Sequence, residues 1–328
     1  MTVDSTETIG VSFARIDPDE AALHRLDPPN DHCCTVSQEL LERADLDVGQ
    51  QLRIGRADER RVEIREEERS DAFRDAIYTV AGAHARPDRA DLRLTDGGLE
   101  RIGIADPAAA RGFVRPLAVH PSYDSPEAAK RHDEFVEFLV NGDDAVESSD
   151  SARTLVVAPH GGYVEYGTDR QAAAVATRLD ALAWVCAGFS DGGAFDRWHV
   201  TSTAIHPRSF PALQRILEAG ADRNRPFNRA LALHGYGGDE TLVGGTSDAS
   251  TRAAVAEAIE ARIPAHRVRA RGIPPEYDGT APENVLNRLA PEGRTIQLEQ
   301  PKAVRTDEES REAIVDAVCE VFGERLER

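Results

Sequence analysis

Four side chains in this sequence have the types and spacing to work a metal ion and a water molecule together: His160, Glu165, His234 and Glu299. His160 lies in the string Pro159-His160-Gly161-Gly162, and Glu165 follows it by five residues. His234 opens a second His-Gly pair, and Glu299 closes the run RTIQLE (294–299). A hydrolytic zinc ion takes three protein ligands and keeps a fourth position for water or substrate. Two neutral imidazoles and one carboxylate leave the ion net positive, so that it acidifies water and polarises a carbonyl. A further carboxylate outside the ligand set must then take the proton and pass it to the leaving amine. His160, Glu165 and His234 suit the first role, with one zinc ion as cofactor, and Glu299 suits the second. His199, in a Trp-His-Val-Thr-Ser setting, competes with His234 for the third ligand position.

These residues can meet only if the chain delivers them to one place. TLVVA (154–158) and RALAL (229–233) are continuous apolar runs of strand length, which reads as buried strands. The first is followed at once by the Pro-His-Gly-Gly string and the second by His234, while RTIQL ends in Glu299. LAWVCAG (182–188) and HRVRA (266–270) read as further strands. Helices are expected from Thr168 to about Leu182, opened by a Thr168/Gln171 capping box, and over 209–220 and 247–262. A last helix follows a capping box at Thr306 and Glu309. Residues 125–140, SPEAAKRHDEFVEFLV, carry helix-like spacing at Phe135, Phe138 and Leu139 behind a Ser-Pro start. NGDDAVESSDS (141–151) reads as a solvated loop and GDETLVGG (238–245) as a flexible loop over the site. Strands alternating with helices predict an α/β fold on a mostly parallel sheet. In such a sheet ligands bind beyond the carboxyl ends of the strands, where both histidines and Glu299 fall.

The earlier part of the chain differs in character. Residues 1–30 are polar, proline-bearing and aperiodic, and are expected to form a loose arm. From 31 to 112, the helix-like SQELLERADL (37–46) precedes short extended runs: QQLRIG (50–55), RRVEIRE (60–66) and AIYTVAG (76–82). They predict a small β-rich domain without a catalytic pair, serving as a scaffold or substrate gate. Residues 113–328 are then the hydrolase domain.

Composition narrows the function classes. The 328 residues carry 58 acidic and 39 basic side chains, a formal charge of -19, and Lys130 and Lys302 are the only lysines. An acidic, arginine-rich, lysine-poor chain suits a cytoplasm kept at high salt, which screens surface self-repulsion. No basic face is offered to nucleic acid, so nucleic-acid binding is not expected. No apolar run approaches the ~18 residues of a membrane span. The MTVDSTETIG start has neither the basic nor the apolar region of a secretion signal, which favours the cytoplasm. Cys33, Cys34, Cys186 and Cys319 include no CxxC pair and are expected to be reduced thiols, with Cys186 and Cys319 buried. His24, His32, His84, His120, His132, His206 and His266 match no motif and are expected to be structural or superficial.

The strings APHGGYVEYGT (158–168), HVTST (199–203), ALHGYGG (232–238) and IQLE (296–299), in that order, resemble the phage-type poly-gamma-glutamate hydrolase family. Its fold is like that of zinc carboxypeptidases. The likeness spans about residues 115–328, and the N-terminal module looks like an extension found in some members. The resemblance implies a mixed, mostly parallel sheet flanked by helices, with His160, Glu165 and His234 as zinc ligands and Glu299 as the catalytic glutamate. It also implies cleavage of the γ-amide bond between glutamates. It favours His234 over His199 as ligand, leaving His199 to line the substrate pocket. Tyr163 and Tyr166 stand next to the metal where smaller or different residues are frequent in the family, so Tyr163 is expected to shape the pocket. An acidic peptide or polymer needs local positive charge, best supplied by arginine's planar fork. Arg170, Arg288 in ENVLNR (283–288) and Arg305 after Glu299 are the candidates. The tyrosines also suit a zinc deacylase or carboxypeptidase acting on small N-acyl amino acids. A third reading is a non-catalytic binder of anionic polymer.

Overall fold

The computed structural model describes residues 8–24, 30–57, 73–85, 90–115, 123, 125–142, 154–221 and 227–324. The expected RRVEIRE strand, His120 and most of the 141–151 loop lie outside the described residues. The chain divides into two compact units.

The first unit comprises Met1–His120, Asp196–Val200 and Ala204–Phe210. Six strands close a barrel in the order β1-β5-β2-β4-β3-β6. They are β1 (Ile9–Arg15), β2 (Cys33–Ser37), β3 (Gln51–Arg56), β4 (Asp75–His84), β5 (Leu92–Leu94) and β6 (Arg111–Arg115). Closure removes unpaired strand edges. Alternate residues point inward and form the core, among them Val11, Phe13, Val36, Leu52, Ile54, Tyr78 and Leu92. Within the expected loose arm, Ile9–Arg15 is therefore strand, with β1 pairing parallel to β5 and antiparallel to β6, and Pro18–Leu23 is a short helix. The period-two placement of Val11 and Phe13 outweighs the polar, proline-bearing composition around them.

A buried charge cluster holds part of this unit together. The Asp75 carboxylate accepts from Arg53 Nε at 3.0 Å and from Arg197 Nη2 at 2.6 Å. Both guanidiniums lie over the buried Trp198 ring. Gln51 donates its N–H to Ser209 Oγ and its side-chain amide to Ala204 O.

The second unit comprises Pro121–Phe195, Thr201–Thr203 and Pro211–Arg328. Its strands are β7 (Phe135–Val140), β8 (Thr154–Gly162), β9 (Leu182–Gly188), β10 (Arg229–Tyr236), β11 (Thr241–Gly244), β12 (Val268–Arg269) and β13 (Thr295–Pro301). They form a seven-stranded sheet ordered β12-β11-β13-β10-β8-β9-β7. The central strands β13, β10, β8 and β9 are parallel, while β11 and β7 run antiparallel to their neighbours β13 and β9. The fold is thus the expected α/β arrangement with a mixed, mostly parallel sheet. Val156, Ala158, Leu231, Leu233, Ile296 and Leu298 share one core with the helices Thr168–Leu179, Ala249–Arg262 and Glu308–Glu324. Among the described residues no helix is long and apolar enough to cross a membrane.

Several elements depart from the sequence expectations. The helix after Ser125 covers only Pro126–Arg131, and Phe135–Val140 is strand β7. Asp133 turns the chain at φ 53°, and FVEFLV then pairs residue by residue with β9. Its spacing fits a helix, but its aromatic and β-branched content and the open edge of β9 favour a strand. GDETLVGG is not a flexible loop: Thr241–Gly244 is buried between β12 and β13, where its main-chain groups are paired. Neither capping box forms. Gly167 occupies the N-cap before Thr168, whose hydroxyl donates to Glu165 O, and Gln171 pairs with Gln300. The last helix is capped by Asp307, whose Oδ2 accepts the Ser310 N–H. The HRVRA strand shortens to Val268–Arg269, and Cys319 is only half-buried.

Candidate metal centre

Register brings the first two candidate residues together. β10 and β13 pair His234 with Glu299, Ala232 with Gln297 and Ala230 with Thr295. Residues in register on adjacent strands project to the same face about 4.8 Å apart. His234 and Glu299 are therefore neighbours on the face opposite the three-helix core.

His160 reaches that face through a bulge. β8 pairs Ala158 with Val185 and then Gly161 with Ala187, so one extra residue is inserted at Pro159-His160. Strict alternation would send His160 to the helix-packed side with Val156 and Ala158. The bulge reverses the phase and turns it towards His234. At Gly162, φ is 70° and a Cβ would lie 2.6 Å from Gly188 O, so the turn beyond His160 needs glycine. The Glu165 N–H then closes the turn on His160 O at 2.7 Å.

The three side chains converge. His160 Nδ1 is 3.0 Å from Glu165 Oε1 and 3.2 Å from His234 Nδ1. His234 Nδ1 is 3.4 Å from Glu165 Oε2. Ligand atoms held about 2.0–2.2 Å from one zinc at tetrahedral angles lie about 3.3 Å apart. The separation of the two imidazole nitrogens matches such an edge, each also lies near one oxygen of Glu165, and the group could hold a metal ion. All three residues are buried, and no other His, Cys, Asp or Glu group among the described residues meets the same geometric test. Outer contacts steady the set. The Gly235 N–H donates to Glu165 Oε2 at 2.9 Å, and Ser202 Oγ lies 3.4 Å from His234 Nε2. A partner on the outer ring nitrogen is what a ligating imidazole needs to keep its tautomer.

The electrostatics of the two glutamates diverge. Burial alone would raise the Glu165 carboxyl, but the charges and hydrogen bonds of His160 and His234 hold it well below the usual carboxylate range. Glu299 goes the other way: burial, with the neighbouring Glu165 charge, pushes it up to about 7 against the pull of His234, Gln297 and Arg305. Glu299 Oε1 accepts from Gln297 Nε2 at 3.0 Å, while Oε2 has no hydrogen-bond partner among the described residues.

Arg305 is the sequence-predicted cation closest to this centre in its interactions. It donates Nε to Gln300 O at 3.1 Å and Nη1 to Tyr166 O at 2.9 Å. Its Nη2 has no hydrogen-bond partner among the described residues. Glu165 and Glu299 both act on its charge. Arg288 sits partly buried on the helix Val285–Leu289, whose cap Asn284 bonds Gln297. The other expected pocket residues have their own contacts. His199 belongs to the first unit, with its main chain beside His32, and is not in the metal-competent group. Tyr163 keeps to the edge of β9, donating its N–H to Gly188 O, and its ring packs edge-on against Phe189 with centroids 5.3 Å apart. The Tyr166 ring lies under Arg170 and Arg311.

Sequence reasoning missed Ser202 and Gln297. Each stands in a quoted string, Ser202 in HVTST and Gln297 in IQLE. Gln297 had one available signal: a residue two places before Glu299 on a strand shares its face.

A model of the poly-gamma-glutamate hydrolase family matches residues 139–312. Among solved structures, the chain is similar to a bacteriophage poly-gamma-glutamate hydrolase, at 21% identity over 61% of this chain and 98% of that one, TM-score 0.43. It is similar to the zinc-free form of YNDL, at 19% identity over 59% and 91% of the two chains, TM-score 0.43. It is also similar to a metallo-carboxypeptidase from Burkholderia cenocepacia, at 11% identity over 66% and 71%, TM-score 0.38. None of the curated proteins matches the chain.

Proposed function

The chain belongs to the poly-gamma-glutamate hydrolase family, and from that membership we propose that it is a zinc-dependent hydrolase of γ-glutamyl amide bonds in an acidic polymer or peptide. One observation supports the metal assignment: buried His160 and His234 face each other Nδ1 to Nδ1 at 3.2 Å, with Glu165 Oε1 3.0 Å from the first and Oε2 3.4 Å from the second, and Glu299 is in register beside His234.

His160 and His234 would hold the ion through Nδ1 and Glu165 through its carboxylate. A zinc ion so bound supplies a more acidic water and a polarised substrate carbonyl. Glu299 takes the proton on the unbonded Oε2 and delivers it to the departing amine. Arg305, fixed by two carbonyls and open at Nη2, receives a carboxylate of the substrate.

The test is incubation of the zinc-loaded protein with poly-γ-glutamate at high salt, following chain length by size-exclusion chromatography. Shortening that stops on chelation and returns with zinc is expected. An intact polymer, with zinc confirmed bound, excludes this substrate.

A further inference from the structure

We propose that Gln297 is a positioning residue that fixes which oxygen of Glu299 does the proton transfer, and that Asn284 sets its direction. The inference rests on the reading of Glu299 as general base.

On the exposed-to-site face of β13, Thr295, Gln297 and Glu299 alternate, each in register with a small or ligating residue of β10. Gln297 and Asn284 are both buried, so each polar atom must find a partner inside the protein. The orientation of a side-chain amide is ordinarily ambiguous, because its oxygen and nitrogen look alike. Here one end of the chain removes the ambiguity. The Leu286 main-chain N–H can only donate, and it donates to Asn284 at 3.0 Å. The Asn284 atom that receives it must be Oδ1. Asn284 therefore turns Nδ2 towards Gln297, and Gln297 accepts with Oε1 at 3.0 Å. The remaining end of Gln297 is its NH2 group, which donates to Glu299 Oε1 at 3.0 Å and reaches the Tyr277 carbonyl at 3.3 Å. Tyr277 O, which can only accept, agrees with the same assignment. Gly279 packs directly on the Gln297 stem, where a Cβ would lie 2.8 Å from it, so the amide has little room to swing.

The consequence is directional. A donor pinned to Oε1 keeps that oxygen an acceptor throughout the reaction. Only Oε2 is left to receive the proton and release it. The hydrogen bonds of Gln297 go to Asn284, Glu299 and the Tyr277 carbonyl, and none reaches His160, Glu165 or His234. It acts through Glu299, and Asn284 acts through Gln297.

Asn284→Asp tests this with a change of one nitrogen to oxygen. The aspartate still accepts the Leu286 N–H, so the helix cap survives, but it cannot donate to Gln297 Oε1. The Gln297 amide must then reverse and present its oxygen to Glu299. With zinc-loaded protein and poly-γ-glutamate, assayed well below the variant's melting temperature because a new buried charge costs stability, kcat is expected to fall at least tenfold, with KM within about twofold and zinc content unchanged. Gln297→Met is expected to lower kcat similarly. Combined with Glu299→Gln, it should be no slower than Glu299→Gln alone, because a residue acting through a carboxylate has nothing left to act on. Wild-type kcat in Asn284→Asp, or losses that multiply in the double variant, overturns the positioning role while leaving Glu299 as base. A Glu299→Gln variant as fast as wild type, with zinc bound, overturns the reading beneath it and the positioning role together.

Discussion

Gly235→Ala is the smallest change that separates substrate binding from metal binding at this site. Gly235 has no positive φ, so glycine is required there for space. A Cβ at this position would lie 2.2 Å from Arg305 Nε and 2.3 Å from its Cζ. Ordinary contact is about 3.5 Å, so the guanidinium must retreat by roughly 1.3 Å. That exceeds what its bonds to Gln300 O at 3.1 Å and Tyr166 O at 2.9 Å can absorb. The displaced Nη2 then misses the substrate carboxylate. A hydrogen bond to a charged group is worth about 1.5–3 kcal/mol, which corresponds to a rise in KM of about tenfold to a hundredfold. Zinc content should not change, because the Gly235 N–H that supports Glu165 belongs to the main chain and alanine keeps it. Steady-state kinetics on poly-γ-glutamate beside zinc analysis provide the assay, with Arg305→Ala as the reference. An unchanged KM in both variants, or loss of zinc from Gly235→Ala, refutes the reasoning.

Other expectations concern catalysis, stability and salt. Glu299→Gln should lower kcat by about 10²–10⁴-fold while zinc content, read by plasma mass spectrometry, stays at the wild-type level. Asp75→Asn leaves Arg53 and Arg197 buried without their shared carboxylate and should cost about 3–5 kcal/mol in urea unfolding. Burial works against the Asp75 charge, but Arg53 and then Arg197 hold its carboxyl below the usual value. Its contribution is therefore present above the unfolded pKa of about 4 and fades as pH falls through the lower folded value, so the gap between wild type and Asp75→Asn should narrow in acid. With 58 acidic against 39 basic side chains, the melting temperature should rise as KCl goes from about 0.1 M to about 2 M. A melting temperature that falls or stays flat contradicts the role given to screening.

Much of the site was legible because its residues follow directly on apolar strand runs. TLVVA, RALAL and RTIQL announce buried parallel strands, and the strand-end rule carries His160, His234 and Glu299 to one edge. What a linear reading misses is phase and register. The bulge at Pro159-His160 decides which face His160 takes, and nothing in APHGG marks an inserted residue. The pairing of His234 with Glu299 joins strands far apart in sequence. Gln297 becomes meaningful only when the loop carrying Tyr277, Gly279 and Asn284 closes over it. Short elements were the least readable. FVEFLV fits a helix by spacing and becomes a strand because β9 offers an edge. TLVG looks like a loop between glycines until β12 and β13 flank it. Tyr163 sits three residues beyond His160, and the partner of its ring, Phe189, comes from beyond the end of β9, a pairing no linear reading offers.

The most direct test of the central claim is a crystal structure of the zinc-soaked protein with anomalous scattering recorded at the zinc edge. One peak is expected, about 2.0–2.1 Å from both His160 Nδ1 and His234 Nδ1 and about 2.0–2.2 Å from a Glu165 oxygen. A peak that recruits His199 in place of either imidazole, or density that leaves the three side chains without an ion at saturating zinc, contradicts it.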